Sequence, residues 1–588
     1  MKKHFLLLSM LLIGALTFNS CDLFETEDDD DEFLSTPQEL NSETITSNTI
    51  WETGTYIIKG RLTISNGGHL TIPAGTTIKF DDGGQLVVTD ANSALTASGS
   101  ENNPIKFTSL SNNASNGAWD YINFTSTATG NSVLSHCIIE YGGGYSTSYG
   151  GALWIEGAKI SVDNCTIKNS GAHGVVCEDD GSFNSFTNNT LINNTLYDIH
   201  IDGNYAHTIG TENTIEGQGI YMNGDVIDQA NATWLLQTAP YTIDGSMHIN
   251  ASGGASLAIE AGNMIQFTDG SNMRVGGSSN FGTLIAQGTA ELPITFTSSS
   301  VQKDYGQWNY IEFESGATSN SILEHCIVEA AGGYADYVGA IEIDGCNISI
   351  KNTEIRLSAS YGITLDHDAY FKEFTGNNIN NCNSYAIEIS GKYAHTIGTG
   401  NTYEDVLGIK VYGGTIDQNE VIWKAQTTPY VLTSNLYVES PSGSTLIVEP
   451  GSTLKFTDGN SLRVGSGDFG KLIATGTQAN PITFTTAAPS GGEQPGQWNG
   501  IFFEQNTMSG SVLNYCSISY GGGYAETYSN GNINLLEVPD ELPEIKNCTI
   551  SYSSGWGIYS DGSSAALENN TYIGNNLGDI GNKKGMIQ

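Results

Sequence analysis

The stretch Pro73–Phe80 reads P-A-G-T-T-I-K-F, and altered copies of it return twice further along the chain. The second copy is E-A-G-N-M-I-Q-F at Glu260–Phe267, and the third is E-P-G-S-T-L-K-F at Glu449–Phe456. Each copy opens the same series of short apolar segments separated by turn residues. The chain is therefore one structural unit written three times, which is typical of repeat architectures.

The apolar segments are triplets that begin eight residues apart at Leu62, Leu70, Ile78 and Leu86. Their middle residue is often polar, so period-two alternation directs the outer two residues inward. Gly, Asn, Asp and Ser fill the gaps, as they do in turns. Because no stretch has the helical periodicity that crossover helices require, an ordinary parallel sheet is disfavoured. We predict an all-β fold, a parallel β-helix solenoid with three strands and about 24–30 residues per coil, some twenty coils, and a length of roughly 100 Å.

The later part of each copy repeats as closely as the opening part. The motif G-A-W-D-Y-I-N-F at Gly117–Phe124 matches Gly306–Phe313 and Gly496–Phe503, a repeat of about 189 residues. The element Y-A-H-T-I-G closes the first two copies and is missing from the third. We predict a signal peptide at 1–20, an acidic tether and N-terminal cap at 21–50, and β-helix units 1, 2 and 3 at 51–230, 231–419 and 420–588, with unit 3 truncated.

The order of these motifs resembles right-handed parallel β-helix repeat proteins of the pectate-lyase-like superfamily, from Trp51 to the end of the chain. The resemblance is narrower to secreted and surface forms with an N-terminal lipoprotein signal. It implies a right-handed solenoid. That superfamily contains polysaccharide lyases, glycoside hydrolases, adhesins and members without known chemistry, so the fold alone does not carry a function.

The N-terminus has the features of a bacterial lipoprotein signal. Lys2 and Lys3 precede an apolar run that ends near Phe18, too short and wrongly flanked for a membrane-spanning helix. Ser20-Cys21 resembles a lipobox, which implies that Cys21 is lipidated; ordinary cleavage with a free product is the alternative. The acidic run after Cys21 is similar to signals that send lipoproteins to the outer face, although a plain solvated linker has the same composition. We expect an outer-membrane lipid anchor with display at the cell surface.

The charge of the chain limits its partners. Lys and Arg number 22 against 63 Asp and Glu, which gives a net charge of −41. Phosphate binding needs a basic surface, so nucleic acid is excluded, and the protein surface is not expected to bind anionic lipid. We expect membrane attachment through the lipid anchor only, a monomer, and an extracellular polysaccharide or cell-surface glycan as partner.

The nine cysteines do not form a disulfide framework. Cys21 is accounted for by the signal sequence; Cys137, Cys326 and Cys516 share one repeat position, and Cys165 and Cys548 share another. We interpret them as buried free thiols that pack as small hydrophobes. A bridge between Cys137 and Cys165 remains open, because neighbouring strands come near the separation that a disulfide requires.

An acidic column is the first candidate for chemistry. Glu178, Asp179 and Asp180 align with Asp366 and Asp368 and, in unit 3, with a single aspartate. Lyases of the superfamily often hold Ca²⁺ with clustered carboxylates, beside a Lys or Arg base. Lys168 and Arg356 lie ten residues upstream in two copies. The alternative is that these carboxylates are turn residues on a solvated face.

A Gly-aromatic loop is the second candidate, and its ligand-binding candidates are Tyr141, Tyr145, Tyr334, Tyr520 and Tyr524. Exposed tyrosine rings are rigid amphipathic surfaces that suit the faces of sugars, and glycines let a ligand approach the backbone. The alternative is that the rings stack as a ladder on their own coils.

No metal site is predicted, and Ca²⁺ is the one cofactor that the acidic residues keep open. His136 and Cys137 are adjacent on a strand and point to opposite faces, so the pair cannot close on one ion. Triplication favours a non-enzymatic role, because an enzyme normally gathers unlike residues in one site. We therefore favour a surface lipoprotein that binds polysaccharide or acts as an adhesive spacer. The alternative is a polysaccharide lyase or glycoside hydrolase that uses the Glu178 region.

Overall fold

A computed structural model describes residues 36–524, 530–539 and 542–582. Cys21, the signal sequence and the acidic run lie outside the described residues. Nearly all regular structure is short strands, and the two exceptions are the 3-10 helices Gly203–Thr208 and Ala394–Thr396. No helix in the described part of the chain is long and apolar enough to cross a membrane.

The strands of each sheet come from successive coils and belong to seven sheets, numbered I to VII in chain order. Sheet I contains Gln38–Asn41, Thr55–Lys59, Thr77–Phe80, Ile105–Ser109, Cys137–Glu140, Thr166–Lys168, Thr190–Ile192 and Thr214–Ile215. Sheet II contains Thr44–Ile45, Arg61–Ile64, Gln85–Val88, Tyr121–Phe124, Gly151–Glu156, His173–Glu178, Ile199–His200, Ile220–Asn223, Tyr241–Asp244, Met264–Phe267, Ile294–Ser298, Cys326–Glu329, Glu354–Ser358, Asn378–Cys382 and Thr402–Glu404. Sheet III contains Asn48–Ile50, His69–Ile72, Ala94–Ser98, Val133–Ser135, Lys159–Asp163 and Ser182–Thr187.

The remaining four sheets form the later part of the solenoid. Sheet IV contains Val226–Ile227, Ser246–Ile249, Asn272–Val275, Ile311–Phe313, Ile341–Asp344, Ile363–Asp366, Ile387–Ile389, Ile409–Val411, Tyr430–Leu432, Thr453–Phe456, Ile482–Thr486, Cys516–Ser519, Thr549–Ser551 and Thr571–Ile573. Sheet V contains Ala232–Trp234, Ala255–Ile259, Gly282–Gln287, Ile322–Glu324, Asn347–Lys351 and Tyr370–Thr375. Sheet VI contains Gly414–Ile416, Leu436–Val438, Ser461–Val464, Gly500–Phe503, Gly531–Leu535, Trp556–Ser560 and Gly578–Asn582. Sheet VII contains Val421–Trp423, Ser444–Val448, Gly470–Thr475, Val512–Asn514, Glu544–Lys546 and Ala566–Glu568.

Every pairing between these strands is parallel, as the all-β solenoid prediction requires. Sheet II has 15 strands and sheet IV has 14, and the two run side by side for eight coils, so the described solenoid has 21 coils. The predicted fold class and coil number are confirmed. The predicted range of coil lengths is too narrow, because the separation between paired residues ranges from 18 for Gln38 and Tyr56 to 39 for Arg463 and Phe502. The long coils contain surface loops, such as the one between Ser109 and Trp119, that lengthen a coil without adding a strand.

The same sequence motif lies on a different sheet in each unit, and we call this change the sheet exchange. The entry motif lies in sheet I as Thr77–Phe80, in sheet II as Met264–Phe267 and in sheet IV as Thr453–Phe456. Sheet I ends at Thr214–Ile215, and sheet IV begins at Val226–Ile227, after the sheet II strand Ile220–Asn223. The 3-10 helix formed by the Y-A-H-T-I-G motif lies in the coil just before each exchange. Equivalent residues of successive units therefore lie on different sheets.

Inward-facing side chains form one continuous core along the solenoid axis. In each unit a fully buried Trp stacks on the Phe of the entry motif; the pairs are Phe80–Trp119 at 4.2 Å, Phe267–Trp308 at 4.0 Å and Phe456–Trp498 at 4.4 Å. The indole N–H of Trp308 donates to the carbonyl of Glu329 at 2.8 Å. Each Trp thus fills the core and satisfies its polar atom at the same time.

The turns are held by the amide side chains of asparagines. Asn189 Oδ1 accepts from the backbone N–H of Cys165 at 2.9 Å, and Asn213 Oδ1 accepts from the N–H of Asn189 at 3.1 Å. Asn377 and Asn401 repeat this arrangement at 3.0 Å. Each amide therefore links one coil to the next at a corner, where backbone groups lack strand partners.

The eight cysteines of the described residues are buried free thiols, as predicted. The alternative bridge between Cys137 and Cys165 is wrong in this structure. The backbone N–H of Cys137 lies 3.4 Å from Cys165 Sγ, and Cys137 Sγ lies 3.4 Å from the carbonyl oxygen of Ala97. Burial raises the pKa of the Cys137 thiol, which favours an inert, protonated side chain.

Replacing Trp308 with Ala should destabilise unit 2 by about 3–5 kcal/mol, because it leaves a large cavity and an unpaired carbonyl. Chemical denaturation should show this loss, and hydrogen exchange should quicken most in the coils around residues 267–330, because coils contact only their neighbours. Val301→Ala is the control, since Val301 is 92% exposed and its truncation should change stability by less than about 0.5 kcal/mol. Equal effects of the two variants would contradict the proposed core.

Candidate functional site

The Gly-Tyr loop joins two sides of the solenoid in each unit. It follows the strand that begins with the buried cysteine, and its first residue adopts a left-handed backbone, with φ of 65° at Tyr141, 64° at Ala330 and 62° at Tyr520. A Cβ at Gly144, the last glycine of the loop in unit 1, would lie 2.4 Å from the carbonyl oxygen of Gly117. The matching glycines in units 2 and 3 leave only 2.2 Å. These glycines therefore let the loop pack against its own solenoid.

One tyrosine of each loop lies over the outer face of the next sheet. Tyr145 meets Tyr121 at 5.4 Å between ring centroids, Tyr334 meets Tyr310 at 5.6 Å, and Tyr524 meets Phe502 at 5.8 Å. All three pairs are edge-to-face, the geometry that aromatic rings prefer. The loop tyrosines remain 59%, 60% and 44% exposed. Each unit thus presents an exposed ring that is fixed by a second ring, and we call each arrangement an aromatic patch.

The other two candidate tyrosines are placed differently. Tyr141 packs against the core at the corner of sheets I and II. Tyr520 stacks on Tyr552 with centroids 5.3 Å apart and an interplanar angle of 14°. Unit 2 has Ala330 at this position. The ladder alternative therefore describes Tyr520, whereas Tyr145, Tyr334 and Tyr524 are the exposed rings.

The three patches have different polar surroundings. In unit 1 Trp154 joins the pair, 5.8 Å from Tyr145 and 5.7 Å from Tyr121. In unit 2 the corresponding position is Glu342, paired in register with Glu312, which in turn accepts from Arg274 at 2.7 Å. In unit 3 the guanidinium of Arg463 lies 4.6 Å from the centre of the Phe502 ring. The three patches therefore share a pair of aromatic rings and differ in the neighbouring side chains that would contact a ligand.

The exchange of sheets displaces the patches around the solenoid axis. The loop of unit 1 precedes a strand of sheet II, whereas the loop of unit 2 follows a strand of sheet II. These two loops therefore lie at opposite edges of the same sheet. The loops of units 2 and 3 have the same relation on sheet IV. A straight polymer lying along one side of the rod would not meet all three patches.

The prediction that the acidic turns of the three units form one column is wrong. The turn at Glu178–Asp180 follows a strand of sheet II, the turn at Asp366–Asp368 follows sheet IV, and the turn at Asp561 follows sheet VI. Because the sheets are exchanged between units, aligned residues do not stack. In the turn of unit 2, His367 pairs with an aspartate of the preceding coil, and its Nδ1 lies 2.6 Å from Asp344 Oδ1.

The turn in unit 1 does belong to an acidic depression of about 580 Å³. It is lined by Glu178, Asp179, Asp180, Asp202, Asn223, Gly224 and Asp225, with no basic side chain among them. Burial raises the pKa of Glu178, and the nearby carboxylates Glu156, Asp179 and Asp202 raise it further. Burial likewise raises the pKa of Asp202, together with Asp225 and Asp180. Loss of hydration on burial is the larger cause of these shifts, and like charges held close together add to it.

The basic residues that a lyase would need lie elsewhere. Lys168 is on sheet I and contacts Glu140 at 3.3 Å, and Arg356 is on sheet II and contacts Glu329 at 2.7 Å. Neither lines the acidic depression. Within the described residues, no group of three or more His, Cys, Asp or Glu side chains converges as metal ligands do.

Family comparison agrees with the architecture. Residues 43–154 and 224–348, which together are 237 of the 588 residues, match the family model described as a pectate-lyase like beta helix domain. Comparison with curated proteins and with solved structures finds no significant match. Parallel sheets stacked coil upon coil define a β-helix repeat protein. The chain is a parallel β-helix repeat protein, and two of its segments are similar to the pectate-lyase like beta helix domain.

Glu342 and Trp154 are site residues that sequence reasoning missed. Neither belongs to the repeated motifs, since the same outward position is Trp in unit 1 and Glu in unit 2. Burial raises the pKa of Glu342 to about 7, with further increases from Glu312, Asp366 and Asp344. Only an alignment of the outward-facing residues on neighbouring strands could have indicated these two residues.

Glu342 makes folding stability depend on pH. Its pKa is higher in the folded chain than in the unfolded chain, so between about pH 4.5 and 7 the folded state binds the extra proton and stability falls as pH rises. Glu342→Gln removes this loss. The variant should be more stable than the parent at pH 8 by about 1–2 kcal/mol, and the difference should vanish near pH 4.5. Denaturant titrations at both pH values measure it.

Glu291→Gln is the matched control, because Glu291 is an exposed carboxyl in a turn of the same unit. It reports what the removal of an exposed carboxyl group alone does to stability at the two pH values. A Glu342→Gln variant that is equally stable to its parent at both pH values would contradict the raised pKa.

Proposed function

We propose that this protein is a lipid-anchored surface protein whose β-helix binds extracellular polysaccharide through its three aromatic patches. The observation that carries the proposal is the exposed loop tyrosine fixed edge-to-face on a second ring in every unit. Rings held in place lose little conformational freedom when they bind, and their exposed faces suit the C–H faces of sugars. The lipidation of Cys21 and the outer-face location rest on the sequence signals alone.

The three patches share an aromatic pair but differ in their neighbouring side chains, and this pattern favours binding over catalysis. The rings recur in all three units, while the neighbouring charged groups change from unit to unit. Catalysis needs unlike groups gathered at one reacting centre. Three weak sites on one rod raise the overall affinity for a branched or bundled polymer by linking the binding events. The same rod would also serve as an adhesive spacer between the membrane and that polymer.

The patches should lose their ligand when the loop tyrosines are truncated. The triple variant Tyr145→Ala, Tyr334→Ala and Tyr524→Ala should weaken retention of a neutral polysaccharide in affinity gels by roughly tenfold or more, because each site loses its main apolar contact. Phe281→Ala with Phe469→Ala is the control, since these rings are 53% and 52% exposed outside the loops. Equal retention by both variants and the parent would refute the binding role.

The alternative function is a polysaccharide lyase or glycoside hydrolase. The specific observation that favours it is the acidic depression, where the raised pKa of Glu178 suits a general acid. Against a lyase, no base lines the depression.

Turnover assays separate the two functions. We expect neither new reducing ends nor unsaturated products when the protein is incubated with a polysaccharide panel. Product that disappears in Glu178→Gln but persists in Glu291→Gln would establish the enzymatic alternative. Glu291 serves as the control because it removes the same charge from an exposed turn.

A further inference from the structure

Unit 1 contains a second cleft, of about 310 Å³, on the outer face of sheet I. It is lined by Lys79, Lys106, Thr108, Glu140, Tyr141 and residues of the loop from Ser109 to Ala114. In register across the coils, Lys79 pairs with Thr108, and Glu140 pairs with Lys168. Lys79, Lys106 and Lys168 therefore lie close together on this face.

The charges of the cleft do not cancel. Glu140 is the carboxylate of the group, with its side chain 6% exposed. It accepts from Lys106 at 2.7 Å, from Lys168 at 3.3 Å and from the hydroxyl of Thr108 at 2.8 Å. Lys79 has no carboxylate within 4 Å among the described residues. Among the residues that line the cleft, two ammonium groups against one carboxylate leave an excess of one positive charge, in a protein of net charge −41.

The loop contributes hydroxyl donors. Ser109 Oγ accepts from the backbone N–H of Ser111 at 3.0 Å, and Ser111 Oγ accepts from the N–H of Asn113 at 3.3 Å. Because both hydroxyls act as acceptors in these bonds, each keeps its own proton to donate. The cleft thus combines ammonium and hydroxyl donors around one space.

Unit 2 has filled the corresponding space. Gln266 and Thr295 stand where unit 1 has Lys79 and Lys106, and Lys303 stands in place of Ala114. Lys303 Nζ donates to the carbonyl oxygens of Ser298 at 2.5 Å and Ser300 at 2.7 Å. The loop of unit 2 therefore carries its own cation inward, whereas in unit 1 the small Ala114 leaves the space open.

We propose that the cleft of unit 1 binds a tetrahedral oxyanion, the sulfate ester or phosphate group of an anionic glycan. Ammonium groups are compact point charges that suit a tetrahedral anion, whereas planar carboxylates are matched better by the fork of arginine. General attraction cannot produce this binding, because the protein as a whole repels anions. The proposal rests on the polysaccharide-binding function and adds to unit 1 a subsite for an anionic group of the glycan, beside its aromatic patch.

Calorimetric titration of the full chain with inorganic sulfate and with inorganic phosphate tests the site. We expect saturable binding of at least one anion, weakened roughly tenfold in Lys79→Met, which is the factor for one lost charged hydrogen bond. Lys79→Arg should retain most of the affinity. Lys471→Met, which removes an equal charge from sheet VII, should bind as the parent does. The preferred anion identifies the source as a sulfated or a phosphorylated glycan.

Two results would overturn the proposal: no saturable binding of either anion by the parent, or equal affinity in Lys79→Met and Lys471→Met. Lys79 has no ion pair to lose, so Lys79→Met should keep the melting temperature of the parent, and a misfolded variant is recognised by that measurement. Retention of a neutral polysaccharide should be unchanged in Lys79→Met. Failure of the oxyanion site is therefore distinguishable from failure of the aromatic patches.

Discussion

Parallel stacking of one coil on the next is the interaction on which the rest of the structure depends. Each coil alone is too thin to bury its inward side chains, and it gains a core only from the coils above and below. Backbone hydrogen bonds fix the register, and the asparagine corners extend the same coupling through the turns. This register also fixes the positions of the outward-facing side chains. Residues that are far apart in the sequence therefore come together on one surface.

The 3-10 helices modify this stacking in a specific way. Gly203–Thr208 lies in the coil where sheet I is about to end and sheet IV to begin, and Ala394–Thr396 lies in the corresponding coil of unit 2. His207 and His395 bond the backbone of their own turns at 2.8 Å and 3.0 Å, which suits a local structural role. The exchange turns three copies of one sequence into three differently oriented surfaces. Repetition in this chain therefore distributes sites around the rod.

The fold was predictable because its signals are local. The spacing of Leu62, Leu70 and Ile78 reports strand length and turn length directly, and the Trp119 repeat reports the length of the unit. The sheet exchange was not predictable, because the helix at Gly203–Thr208 reads as an ordinary strand-turn element. The site was predictable only in part. The repeated loop tyrosines were found, but whether Tyr145 is exposed depends on Tyr121 and Trp154, which come from neighbouring coils.

The central claim is that the three aromatic patches are displaced around the axis of a continuous solenoid. Spin labels at Tyr145→Cys, Tyr334→Cys and Tyr524→Cys, introduced in pairs, test it by pulsed electron paramagnetic resonance, since the native thiols of the described residues are buried. Seven strand spacings separate the first two loops, roughly 34 Å along the axis. The account predicts that the distance from the first label to the third is shorter than the sum of the two intermediate distances. A first-to-third distance equal to that sum would place the patches in one straight column and contradict it.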